Sequence, residues 1–223
     1  MILTNSNFLN NNFDTQIHSF QGGFLAIESN TFSASNCKFQ KSLGSSGSAI
    51  SITPSNPSAA YSFVSCTFEN LIASLYGAAV YISGVLKSAV LTFEFCEFKE
   101  IASKYGAVVQ MSFQTTSLEA HNYLLFPTLT MSSCNSTHVY ASSGGLVYAE
   151  NAYVNLKDIL STENNPANVL TSNENLIAFL AKLQTIGMYI SVTGSFFEGE
   201  SLEIKGHSVD LSKYYDKSSI VFL

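Results

Sequence analysis

The chain has 223 residues, 46% hydrophobic and only 12% charged, with 10 Lys or Arg against 16 Asp or Glu and a net charge of −6. All ten basic residues are lysine and tryptophan is absent; without arginine forks to read phosphates and guanines, nucleic acid is not an expected partner. The 17 Phe and 11 Tyr residues exclude a disordered chain and supply material for a core.

Met1-Ile2-Leu3-Thr4-Asn5 turns polar at once, with neither a basic start nor an apolar stretch long enough for a secretory leader. Further along, the four cysteines recur in one phrase: Asn36-Cys37-Lys38-Phe39, Ser65-Cys66-Thr67-Phe68, Phe95-Cys96-Glu97-Phe98 and Ser133-Cys134-Asn135-Ser136, spaced 29, 30 and 38 residues apart. Apolar residues fall five and three places before each cysteine and two places after it. These are Phe32, Ala34 and Phe39; Tyr61, Phe63 and Phe68; Leu91, Phe93 and Phe98; and Leu129, Met131 and the weaker Ser136. The even steps are strand-like, and the odd step into the cysteine predicts a bend or bulge between two short strands.

About ten residues later a second phrase follows: Gly47-Ser48-Ala49-Ile50, Gly77-Ala78-Ala79-Val80, Gly106-Ala107-Val108-Val109 and Gly144-Gly145-Leu146-Val147. It predicts a tight corner and a further strand, with Ile50, Ile52, Val80, Ile82, Val109, Met111, Val147 and Ala149 inward. Ser51, Tyr81, Gln110 and Tyr148 alternate with them and should point outward. The same template recurs without cysteine at Met1, Leu3, Ser6 and Phe8, at Gly22-Gly23-Phe24-Leu25, at Val154, Leu156 and Ile159, and at Ile190, Val192, Ser195 and Phe197. Seven units result, anchored at Ser6, Cys37, Cys66, Cys96, Cys134, Ile159 and Ser195.

A unit this short cannot bury its apolar side alone, so successive units must stack. The expected fold is all-β, a right-handed parallel β-helix of about seven coils and about 34 Å in length at the usual strand spacing. It forms a single domain over 1–223, with regular coils over 1–150 and less regular terminal coils over 151–223. Insertions at 54–60, 84–87 and 115–127 should protrude at one corner. Thr171-Ser172-Asn173-Glu174 has the form of a capping box and predicts a short helix over 172–185, with a strand over 176–181 as the alternative. The apolar stretch 176–192 is broken by Lys182, Gln184, Thr185 and Gly187, and no transmembrane span is expected. The last residues, Ser219-Ile220-Val221-Phe222-Leu223, end on bare hydrophobics as though the segment continued. Coil ends offer open strand edges, which are expected to be capped by further sequence or a partner.

With the glycine-led and phenylalanine phrases together, the chain resembles the repeats of polymorphic outer membrane proteins, named for G-G-A-I and F-x-x-N motifs, within the pectin-lyase-like right-handed β-helices. Gly22-Gly23 and Gly144-Gly145 keep both glycines, and Phe8-Leu9-Asn10-Asn11 satisfies F-x-x-N. Ser48, Ala78 and Ala107 replace the second glycine elsewhere, and Ser42, Leu71 and Ile101 replace the asparagine. The resemblance covers residues 1–150 well and 151–200 loosely. It implies a surface or secreted adhesive scaffold: extracellular as part of a longer chain, or cytoplasmic if these residues are the whole protein.

Chemistry is sparse. Cys37, Cys66, Cys96 and Cys134 occupy equivalent positions and should form an inward row of free thiols, since stacked partners are not set at disulfide distance and do not converge as metal ligands. Enzymes of the resembling fold use an arginine base and calcium-binding aspartates; this chain has no arginine, and Asp14, Asp158, Asp210 and Asp216 are scattered. Glu94 and Glu97 should face outward as a solvated edge around Lys99, with Phe93 and Phe95 inward. His18, His121, His138 and His207 lack partners at motif spacing. No catalytic residue, metal site or cofactor is therefore expected. Tyr76, Tyr81, Tyr105 and Tyr148, with Tyr140 nearby, lie at or beyond the glycine corner; they are read either as a cross-coil ladder or as a surface that binds a cell-surface glycan or protein. Asn135-Ser136-Thr137 is an N-glycosylation sequon, making Asn135 a candidate glycan attachment site. The expected role is non-catalytic binding or display; a polysaccharide-active lyase or glycoside hydrolase is one alternative and a structural rod in a larger assembly another.

Overall fold

The computed structural model describes residues 1–11, 23–55, 58–85, 88–114, 127–143, 145–150 and 152–162, and beyond them the strands that follow. The chain lays down strands in threes: β1 (Ile2–Thr4), β2 (Asn7–Asn11), β3 (Leu25–Ile27); β4 (Thr31–Ser35), β5 (Lys38–Ser46), β6 (Ile50–Ile52); β7 (Ala60–Val64), β8 (Thr67–Tyr76), β9 (Val80–Val85); β10 (Val90–Glu94), β11 (Glu97–Tyr105), β12 (Val109–Gln114); and β13 (Thr128–Ser132), β14 (Asn135–Ser143), β15 (Val147–Glu150). Then come β16 (Tyr153–Lys157), β17 (Leu160–Thr162), β18 (Ala167–Thr171), β19 (Ile190–Thr193), β20 (Phe196–Phe197), β21 (Ser201–Ile204), β22 (His207–Asp210) and β23 (Ser219–Val221). Each strand through β18 pairs in parallel with the strand three places later, which builds three stacked sheets of 8, 7 and 8 strands. Among the described residues only β22 on β21 and β23 on β19 run antiparallel, at the C-terminal edges of the third and first sheets. Among the described residues the protein is all-β and its pairing is that of a parallel solenoid; the helix expected over 172–185 lies outside them.

Inward rows run unbroken across the sheets. In the first, Phe32, Tyr61, Leu91, Leu129 and Val154 align, and so do Ala34, Phe63, Phe93, Met131 and Leu156. In the second, Phe8, Phe39, Phe68 and Phe98 stack at 4.9, 4.9 and 5.3 Å between ring centroids. The row changes chemistry where the phenylalanines end: Ser136 and Ser161 are both buried and share a 2.7 Å hydroxyl hydrogen bond, so neither leaves its oxygen stranded in the core. In the third sheet Ile50, Val80, Val109 and Val147 align beside Ile52, Ile82, Met111 and Ala149.

Left-handed residues turn the corners. The residue before each of the first six anchors has positive φ: Asn5, Asn36, Ser65, Phe95, Ser133 and Asp158, all between 49° and 54°. Their amides stay bonded across the stack, as in Asn36 to the Val64 carbonyl and Ser65 to the Glu94 carbonyl. A second left-handed row, Lys41, Asn70, Glu100 and His138, bends the strands of the second sheet, and a third, Gly47, Gly77 and Gly106, turns the chain into the third sheet. The bend expected at the cysteine is therefore present. Phe95, however, was expected to point inward and instead is 57% exposed, because the left-handed corner breaks the alternation on which that assignment rested. Of the insertions expected at 54–60, 84–87 and 115–127, the described residues 54, 55, 58, 59 and 127 lie between a third-sheet strand and the next first-sheet strand, whereas Ala60 begins β7 and Gly84 and Val85 end β9, paired with β12; 56–57, 86–87 and 115–126 are outside the described residues.

Tyr61 is buried and its hydroxyl donates to the Ser29 carbonyl at 2.9 Å; burial pushes its pKa up to about 12. Unfolding returns the phenol to about 10. As pH rises from about 10 to about 12 the unfolded chain sheds a proton the folded chain keeps, so stability falls through that window. Phenolate absorbance during alkaline titration should show a late component near pH 12 that is missing in Tyr61→Phe; the same late component in Tyr61→Phe would contradict the burial of Tyr61.

Candidate functional site

Cys37, Cys66, Cys96 and Cys134 are free and buried, each directly after a left-handed corner residue: Asn36, Ser65, Phe95 and Ser133. Each thiol donates to the carbonyl two residues earlier, at 3.3 to 3.5 Å, and Ser6 does the same at 3.0 Å at its own corner. Cys66 and Cys96 also reach carbonyls of the preceding turn, Ala34 and Phe63. At these five anchors a small side chain with a donor fills the position, while the sixth, after Asp158, is filled by the buried Ile159, so the cysteines read as small packing residues. Within the row, the flanking Cys134 and Cys66 thiols, followed by burial, push the Cys96 thiol well above its usual range. A thiol probe at neutral pH should label none of the four in the folded protein and all four after denaturation without reductant; fewer than four would reveal a disulfide.

Glu94 and Glu97 are half-buried on the outer surface. Lys99 Nζ lies 3.0 Å from Glu97 Oε2, and both side chains are nearly half exposed. Glu97→Gln should therefore change unfolding free energy by less than about 0.5 kcal/mol, measured by urea titration; a large loss would show that the carboxylate has another role. Asn135 is exposed at the start of β14, as a glycan acceptor must be. His138 occupies a left-handed bend on the same strand. Residues 18 and 121 are outside the described residues.

The tyrosines do come together. Tyr76 ends β8 and Tyr105 ends β11, in register with each other, while Tyr81 and Tyr148 lie on β9 and β15 just past the glycine corner. Tyr76 stacks on Tyr81 at 5.6 Å and on Tyr105 at 5.7 Å, and Tyr105 meets Tyr148 at 5.4 Å. Side chains outside a convex corner diverge. These converge, so the corner between the second and third sheets is re-entrant. Gly77 and Gly106 permit the approach: a Cβ on Gly106 would lie 2.9 Å from the Tyr148 Cβ. Tyr140 sits in mid-strand opposite Ala102 and makes none of these ring contacts.

A cleft of about 280 Å³ opens among Tyr76, Tyr81, Tyr105, Tyr148, Gln110 and Ser112. Lys104 Nζ stands 5.3 Å from the Tyr105 ring centroid, and Lys104 is not among the residues that line the cleft. Gln110, expected on the open outer face, is only 3% exposed, and its Oε1 has no hydrogen-bond partner. Ser51, one of its row, is covered too. Alternation identified the outer side correctly, but outer side chains are buried where the re-entrant corner folds rings over them. Gln110 is the residue that sequence reasoning missed as part of this site.

No protein-family model matches the chain, and no curated protein or solved structure matches it significantly. Among the described residues no helix is long and apolar enough to cross a membrane, and no three His, Cys, Asp or Glu side chains gather as a metal-ligand set.

Proposed function

We propose that the chain is a right-handed parallel β-helix of about seven coils, of the type resembled by polymorphic outer membrane protein repeats, and acts as a non-catalytic surface or secreted scaffold with an adhesin-like binding or display role. The observation that carries this reading is the outer face of the first sheet. Ser33, Ser62, Thr92, Thr130 and Asn155 stand in direct register, so five successive turns present a short uncharged polar side chain at the same height, beyond the exposed Ile2 that begins the row on β1. A repeating, weakly charged face on a regular stack suits contact with an extended surface more than turnover of a substrate. Covering of the β1, β2 and β3 edges by further sequence or a partner belongs to the same proposal.

Immobilised full-length chain should retain cell-surface glycans or proteins and release no new reducing ends from polyuronates or neutral polysaccharides. Product release with turnover would replace this reading with the enzymatic one, and absence of any retention would remove it. The extracellular placement is tested on protein from its natural source: enzymatic removal of N-glycans should lower its mass through Asn135, and an unmodified mass would contradict export.

A further inference from the structure

We infer that the slot over Gln110 binds one uncharged pyranose ring, which gives the scaffold reading above, on which this inference rests, a specific ligand class. Tyr81, Gln110 and Tyr148 are consecutive members of one outer row of the third sheet, aligned strand to strand. The row runs ring, amide, ring. Its two tyrosines are two strand spacings apart, about 9.6 Å, which is close to the span of two aromatic contacts with one further ring between them. A ligand ring seated over Gln110 completes the ladder at its natural repeat. Tyr76 and Tyr105, stacked on each other, close one side of the slot, Ser112 lines it as well, and the opening of about 280 Å³ suits a single sugar residue.

The chemistry of the walls selects the ligand. The six lining residues offer phenol rings, a carboxamide and hydroxyls, and none carries a charge. A pyranose combines C–H faces that lie against tyrosine rings with an edge of hydroxyls that both donate and accept. Gln110 Oε1, buried and unpartnered within this wall, lacks a donor that a sugar hydroxyl supplies. A nucleobase shares the flat shape, but a chain of net charge −6 without arginine repels the phosphates that accompany most bases.

Saturation-transfer NMR on the full chain with methyl glycosides of glucose, galactose, mannose and N-acetylglucosamine, and with adenosine, tests the assignment. At least one glycoside should bind through its ring C–H protons, and Gln110→Leu and Tyr148→Ala should each weaken it about tenfold or more. Gln110→Leu should melt no lower than the parent, since the leucine leaves no orphaned acceptor; this separates loss of binding from loss of fold. Preferential binding of adenosine, or undiminished glycoside binding by Gln110→Leu, overturns the proposal. If no glycoside binds while the parent still adheres to cell surfaces, this inference fails and the scaffold reading stands; if neither is seen, both fail.

Discussion

Phe68→Asp should abolish cooperative folding. The Phe68 ring is fully buried, stacked on Phe39 at 4.9 Å and Phe98 at 5.3 Å, with Phe63 and Phe93 edge-on at 5.8 and 6.1 Å. Aspartate there loses about 3–5 kcal/mol of packing, as alanine would, and adds the cost of a buried unpaired carboxylate. Against a total stability of about 5–15 kcal/mol, little remains. Far-ultraviolet circular dichroism during urea titration reads the outcome, with Phe68→Leu as the control that keeps most of the burial. A cooperative transition at the parent midpoint for Phe68→Asp would remove the inward assignment of the entire phenylalanine row.

Gly106→Val should be the next most damaging change. The residue has φ +55°, where a non-glycine side chain costs about 1–2 kcal/mol before any contact is counted. A Cβ would also run into the Val109 carbonyl oxygen and lie 2.9 Å from the Tyr148 backbone nitrogen, atoms of strands that cannot give way singly. A loss of about 3 kcal/mol or more is expected in the same titration. Asn36→Gly gives the contrast: the position is also left-handed, at φ 52°, but already holds a side chain, so the exchange should cost under about 1 kcal/mol. Equal tolerance at Gly106 and Asn36 would mean that the glycine corner is not the tight approach described.

Much of the stack was legible because its signals repeat. Phe63 and Phe93 pair in register as their places relative to Cys66 and Cys96 demand, and the glycine phrases lead into the third sheet as expected. The phase break before each cysteine was legible as a bend. What was lost lay where residue type carries no signal. Lys41, Asn70, Glu100 and His138 share a left-handed conformation and almost no chemistry, so nothing marked them as corners. Phe95 looked like a core residue by type, and only the φ of 54° at its corner explains its exposure. The tyrosines at the glycine corner could be picked out by spacing, but alternation cannot tell a convex corner from a re-entrant one. For that reason the burial of Gln110 and the cleft above it emerged only from the packing.

The chain advances by one strand spacing per repeat, whatever the number of residues between repeats. Spin labels placed in pairs at Ser33 and Thr130, Ser33 and Asn155, and Ser33 and Ser191 test it, because these residues occupy one outer row three, four and five strands apart. Dipolar distances should increase by about 4.8 Å from each pair to the next, in narrow distributions. Distances that follow the unequal residue separations instead, or distributions too broad to order, would contradict the parallel stack.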